Sequence, residues 1–333
     1  MDFKPLKLGK NRKTGFEFEL ASIEIDACSK ILAELFDGKI EKKNSLDVKI
    51  LCQNMGDFKV ELDAHMIKNM VSKLEKKEPI SDEDIIDINK IKSFVSKLIG
   101  DASGKFVPCE IVTPPMKFDD FSKLEDLRES LMNKGAEGTG ASFVNAFGMH
   151  INTEIPSEEV SDIRDILRAF LILYPWLLEV MNIDISRRVL TYIDPFKKPY
   201  INLILDKDYN PSWDQFISDY IEHNPTRNRA LDMMPLFAHL KPESMKLLKA
   251  EDRELIKARP TFHYRLPNCE MDNKNWSIAR DWNYWVMVEE LSADKEKLEA
   301  MSLEYLKFLG DPLNIVNSGW VKHISENFGY EKI

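Results

Sequence analysis

Glu17 and Glu19 stand two apart in the stretch GFEFEL, residues 15–20, alternating with Phe16, Phe18 and Leu20. That is the two-residue period of a strand, so both carboxylates leave one face and the apolar side chains leave the other. Two carboxylates on one face can share one or two Mg²⁺ ions, which take oxygen ligands. A solvated sheet face explains the same pair as simply. Glu110, in FVPCEIVTPPM, has a sharper context. It interrupts a largely apolar strand, and a buried carboxylate is costly unless it is paired or bound to metal.

Three further groups offer chemistry. His150 and Asn152 share a face of FGMHINTEI, opposite Phe147, Met149 and Ile151. An imidazole and an amide displayed together beside Gly148 suit a site lining, with His as metal ligand or phosphate donor. His263 and Arg265 alternate in TFHYRLPN, with Thr261 on the same face. The guanidinium there is suited to a bidentate clamp on phosphate or carboxylate, or to a structural ion pair. Arg227 and Arg229, in NPTRNRALDMM, and the pair Arg187-Arg188 are cations for a triphosphate or for the surface. The loop Gly135–Gly140 lacks the Lys-Ser or Lys-Thr of a phosphate loop and reads as a lid or substrate loop. No G-x-S-x-G or HExxH motif is present, so serine hydrolases and that class of metalloprotease have no support.

The elements that must position these groups follow from pattern. A strand is predicted near 14–23 and a helix over Asp26–Phe36, ended by Asp37-Gly38. Two short strands are predicted within 46–62, around the turn Asn54–Asp57. Residues 64–100 read as mostly helical, 105–112 as a strand stopped by Pro114-Pro115, and 118–133 as an amphipathic helix. A strand over Ser142–Ile155 is followed by a helix capped by Ser157 and reaching Met181, with Pro175 inside it. Residues 258–266 are strand-like. Helices follow over Asn275–Leu291, where Trp276, Trp282 and Trp285 read as core, and over Asp294–Leu309. The helices are unequal and the strands show no regular βαβ period, which favours α+β, in a single domain over 1–333. That domain would carry a helical insertion at about 64–100 and a helical C-terminal part at about 275–333.

With 333 residues, 44% apolar, the chain can bury a substantial core. The longest strongly apolar run, Phe170–Leu173, is far short of a membrane span. The basic N-terminus lacks the apolar stretch of a signal peptide, so a cytoplasmic protein is expected. A net charge of −10 argues against general nucleic-acid binding, although a few local cations and Mg²⁺ suffice for ATP. Cys28, Cys52, Cys109 and Cys269 are widely spaced and read as core residues.

Taken in series, GFEFEL at 15–20, Asp63 in KVELDAHM, EIVTPP at 110–115, GMHINT at 148–153 and TFHYRLP at 261–267 resemble the amidoligase family. These are carboxylate–amine ligases related to glutamine synthetase and glutamate–cysteine ligase. Ser186-Arg187 resembles the family's Ser-Arg element, and RNRALDMMPLF at 227–237 its arginine-bearing element. The resemblance covers about residues 14–290. It implies a glutamine synthetase-like curved, mainly antiparallel sheet packed on helices, with ATP and two or more divalent ions, Mg²⁺ or Mn²⁺, on the open face. By position it assigns metal ligation to Glu17, Glu19, Glu110, His150 and His263. Catalytic roles fall to Asp63, Arg265 and Arg187, and nucleotide contacts to Arg227, Arg229, His150 and Asn152. Small-molecule or peptide carboxylate and amine substrates are implied.

Two departures stand out. Asn152 occupies the second histidine of the family's His-x-His, and His263 the glutamate of its Glu-x-Arg; Asp232 also stands near where the family usually has Asn. An altered metal site, an inactive nucleotide-binding module and a metal-dependent hydrolase are therefore alternatives to an active ligase. If His263 ligates a metal, its role would be lost on protonation near its ordinary pKa of about 6.5.

Overall fold

The computed structural model describes residues 1–62, 109–139, 147–184, 187, 193–311 and 318–333. β1 (Thr14–Leu20) runs as its alternation dictates: Phe16, Phe18 and Leu20 are wholly buried, while Glu17 and Glu19 leave the other face. It lies inside an eight-stranded antiparallel sheet with β2 (Lys39–Asn44), β3 (Asp47–Leu51), β4 (Phe58–Leu62), β5 (Cys109–Val112), β6 (Met149–Thr153), β7 (Leu231–Asp232) and β8 (His263–Tyr264). The order is β2-β3-β4-β5-β1-β6-β8-β7. The architecture is α+β, as the unequal helices and irregular strand spacing indicate.

The helices cover the apolar face. Phe16 meets Phe121 edge-on at 5.2 Å, and Phe121 meets Trp282 at 4.9 Å. The helix Val160–Val180 packs against Ile278–Ala293, which carries Trp282, Tyr284 and Trp285 in the core. Burial of this aromatic set explains the tryptophans by packing. Ser277 caps its helix by accepting from Arg280 N, and Asp294 caps Lys295–Gly310 by accepting from Lys297 N. Ser157 does not cap the helix directly. That helix starts at Val160, and Ser157 instead bonds Glu159 N and Asp162. Among the described residues, no helix is long and apolar enough to cross a membrane. All four cysteines are buried and free.

Register decides what the open face carries. Glu19 stands opposite Glu110, Glu110 opposite Glu61, and Glu61 opposite Asp47, so four carboxylates cross four adjacent strands in one row. In the next row Glu17 stands opposite His150. Beyond it, Ile151 pairs with Tyr264, which brings Asn152 beside His263 and His150 beside Arg265.

The N-terminal segment is tied to the far side of the sheet by a buried ion pair. Arg12 grips Glu289 with two hydrogen bonds, 2.6 and 2.8 Å, and its Nε donates to Glu154 O. The Glu289 side chain is fully buried, and burial pushes its carboxyl up, against the pull of Arg12 and Trp285. Replacing Arg12 with Met strands a carboxylate in the core, which is expected to lower stability by about 3–5 kcal/mol in urea unfolding. A loss below 1 kcal/mol, the range of an exposed pair, would show that the pair is dispensable.

Candidate metal and phosphate site

His150 is the hinge of the cluster. Its Nδ1 lies 2.8 Å from Glu17 Oε2, and its Nε2 faces Glu19 Oε1 at 3.6 Å. Glu17 accepts from Nδ1, which turns Nε2, the other ring nitrogen, toward Glu19 and Glu110. A carboxylate behind a histidine that faces a cation is the usual way to fix a ligand's tautomer and ring. Two triads of potential ligand atoms share His150: Glu19, Glu110 and His150 form one, and Glu17, His150 and His263 the other. In each, the atoms lie within 4.8 Å of one another.

The first triad fits a hard divalent cation. It offers two carboxylates and one imidazole, with Glu19 and His150 buried. Like charges directly opposite on neighbouring strands destabilise a sheet, and here Glu110 has a carboxylate on either side. Gly148 N donates to Glu19 Oε2 at 2.6 Å, which orients one carboxylate. Gly148 itself is required by crowding. A Cβ there would sit 2.5 Å from Arg187 Nη2 and 3.2 Å from His150 Nε2.

The second triad is already cross-linked. Asn152 Nδ2 donates to Glu17 Oε1 at 2.9 Å, which turns Asn152 Oδ1 the other way. That oxygen lies 2.6 Å from His263 Nδ1 and accepts from Arg259 Nη2 at 2.8 Å. Asn152 and His263, the two departures from the pattern that the resemblance implies, therefore touch each other. Arg259 was not singled out by sequence. Its backbone N is fixed on Pro235 O, and Nη2 also stands 3.4 Å from Glu17 Oε1. The signal existed, since 259, 261, 263 and 265 share one parity.

Arg265 lies on the same face, buried, with Nη2 3.4 Å from the fully buried Asp232. Arg187 is placed beneath the site. Its guanidinium donates to the carbonyls of Arg265, Leu266 and Pro267 at 2.6–2.7 Å, so it clamps the strand carrying Arg265. Arg229 is directed elsewhere, donating to Asn224 Oδ1 and Pro195 O. Arg227 adds positive field at His263 and Asp232. Asp63 and Ser186 lie outside the described residues, as does the proposed helical stretch at 64–100. The glycine loop is packed over its described part. Glu137 pairs with Ala21, Gly138 N donates to Asp272, and a Cβ on Gly138 would lie 2.0 Å from Cys269 O.

The electrostatics correct one expectation. Burial, Arg265, Arg259, His150 and Arg227 push the His263 imidazole well below its usual 6.5. It stays neutral where an exposed histidine would charge, so an activity loss near pH 6.5 from this residue is not expected. Glu17 is held at about 2: burial opposes its charge, but the His150 hydrogen bond, His150, Arg259 and Arg265 outweigh that. The signs add. Below pH 6.5 the unfolded chain takes up a proton that folded His263 refuses, so stability falls with acid. Glu17 contributes fully above 4.5 and loses that contribution as pH falls toward 2, about 3 kcal/mol at most. Urea unfolding across pH should show both limbs, and Glu17→Gln should flatten only the one below 4.5. An unchanged slope in that variant would remove Glu17 from the acid response.

An antiparallel α+β sheet with carboxylates, imidazoles and guanidinium groups gathered on one face defines a candidate metal and phosphate centre. A family model described as "putative amidoligase enzyme" matches residues 10–287, and the chain belongs to that family. No curated protein and no solved structure matches it.

Proposed function

We propose that this chain is an ATP-dependent carboxylate–amine ligase that forms an amide through an acyl phosphate. Membership of the amidoligase family supports a ligase at the coarse level. The observation that carries the finer reading is the Glu19–Glu110–His150 triad beside Arg259 and Arg265. A sheet of glutamine synthetase-like character would present such a row of ligands to nucleotide and substrate.

In this reading a substrate carboxylate attacks the γ-phosphorus of ATP, the bond to the bridging oxygen breaks, and ADP leaves. The amine then attacks the acyl carbon and displaces phosphate, losing a proton. Glu19, Glu110 and His150 would hold Mg²⁺ or Mn²⁺, and a bound divalent ion supplies positive charge to the transferring phosphoryl oxygens. Glu17 keeps His150 Nε2 aimed at the triad by accepting from Nδ1. Arg265 presents a planar fork suited to phosphate, and the Arg187 clamp holds the backbone behind it. Small-molecule or peptide carboxylates and amines are the substrate class.

The test is ADP release from ATP with panels of carboxylates and amines, with hydroxylamine as a trap for the acyl phosphate. Turnover that requires a carboxylate and yields hydroxamate supports the ligase. ATP turnover indifferent to both substrates points to a hydrolase, and nucleotide binding without any turnover to an inactive module.

A further inference from the structure

The strand that carries His263 and Arg265 has a ladder that extends before them. Phe262 N donates to Thr153 O and Ile155 N to Pro260 O, which sets Thr261 opposite Glu154. Phe262 and Tyr264 are buried in the core, so Thr261 leaves the open face with His263 and Arg265. Thr261 is only 8% exposed. Its hydroxyl oxygen is closed off from solvent and has no hydrogen-bond partner among the described residues. Glu154, opposite, is turned to the backbone, where its Oε2 accepts from Lys13 N at 2.7 Å.

Arg259 brings a second unspent donor to the same place. Its Nη2 lies 2.8 Å from both Asn152 Oδ1 and His263 Nδ1, so its side chain runs along the strand past Thr261 to reach them. Its Nε is buried and, among the described residues, has no acceptor. Buried polar groups are nearly always hydrogen-bonded, and those left over call for an explanation such as a bound ligand. A hydroxyl and a guanidinium N–H both donate, and together they suit an oxyanion.

We propose that Thr261 Oγ1 and Arg259 Nε form an oxyanion subsite at this end of the open face, taking a carboxylate or phosphoryl oxygen of a bound reactant. The inference rests on the ligase reading for its occupants, which are the phosphates of ATP and the carboxylates of the substrate. Thr261 stands four residues from Arg265, about 13 Å along an extended strand. Arg265 lies beside His150, so the oxygen held at Thr261 is remote from an ion at the Glu19–Glu110–His150 triad. The subsite therefore fixes the far end of a reactant and orients it, rather than stabilising charge on the transferring phosphoryl group.

The test compares native protein with Thr261→Val, which keeps the shape and loses the hydroxyl, and Thr261→Ser, which keeps the hydroxyl. Urea unfolding without ligand comes first. Thr261→Val is expected to equal or exceed native stability, because the hydroxyl it removes has no bond to lose. A marked loss of stability would make the hydroxyl a structural group and overturn the inference. Inorganic phosphate is the binding probe, read as the concentration that gives half the maximal thermal shift. Thr261→Val is expected to need about tenfold more phosphate than the native protein, and Thr261→Ser about the native amount. Equal responses in native protein and Thr261→Val would overturn the inference and leave the ligase reading standing. The hydroxamate assay then separates the two sources. A higher KM for ATP in Thr261→Val assigns the subsite to a phosphate, and a higher KM for the carboxylate assigns it to the substrate. Unchanged values of both would overturn the inference. A phosphate difference with no hydroxamate from the native protein would overturn the ligase reading and leave the subsite in place.

Discussion

Glu19→Gln is expected to lower the proposed ATP turnover by about 100- to 1,000-fold and to leave the protein folded. The size follows from removing one of two carboxylates in a triad that would hold the activating ion, where several kcal/mol of transition-state charge stabilisation is at stake. The effect on stability has the opposite sign. Glu19 faces Glu110 across the β1–β5 ladder, and like charges opposite each other destabilise a sheet by a few tenths of a kcal/mol to about 1. Glutamine keeps an oxygen to accept from Gly148 N. The variant should therefore match or exceed native stability without metal. Added Mn²⁺ separates the two effects. A ligand present at 100 times its Kd raises stability by about 2.7 kcal/mol, so native protein should gain a thermal shift that Glu19→Gln largely lacks. Equal Mn²⁺ shifts in both proteins would sink the ligand role, whatever happens to turnover.

Much of this site was legible because strands expose a parity. Phe and Glu alternate cleanly in β1, so burial of Phe16, Phe18 and Leu20 and the common face of Glu17 and Glu19 followed from spacing alone. The same parity paired His150 with Asn152 and His263 with Arg265. It also contained Arg259, which sits beyond Pro260; residues before proline are biased to extended backbone, so the alternation carries through the turn. Other elements left no such trace. β2, KIEKKN, is exposed almost throughout and is an edge strand rich in lysine, so no apolar face betrays it. The helices Lys198–Leu205 and Ser318–Phe328 were not anticipated individually. β7 and β8 are two residues each, too short for any pattern to delimit.

Two site features were beyond reach for physical reasons. Asn152 and His263 are 111 residues apart and look like independent departures until the sheet register places them 2.6 Å apart. That one contact, shared with Arg259, joins two positions that the sequence presents separately. The acid behaviour of His263 was misjudged because an ordinary pKa assumes water. Burial and four cationic or ionisable neighbours are properties of the fold, and together they remove the proton that sequence alone would grant.

Arg265 is where site and stability meet, and its two substitutions should diverge. Its Nη2 lies 3.4 Å from Asp232, whose carboxylate is fully buried. Burial pushes the Asp232 carboxyl up, and Arg265 and then Arg227 pull it back, so the carboxylate depends on its cationic neighbours. Arg265→Met removes the nearest of them. Breaking a buried pair from one side typically costs about 3–5 kcal/mol, and urea unfolding should show a loss of that order. Arg265→Lys keeps a positive charge within reach of Asp232 and should unfold close to native. It loses the planar fork, however, and a point charge cannot make two parallel hydrogen bonds to a phosphate or carboxylate. Turnover is expected to fall by more than about tenfold, since each 1.4 kcal/mol of lost transition-state binding is a factor of ten. The comparison is the test. Native-like turnover in a folded Arg265→Lys would confine Arg265 to holding Asp232. A large loss of turnover with stability intact would place its fork on the reacting phosphate, where the strand clamped by Arg187 would hold it.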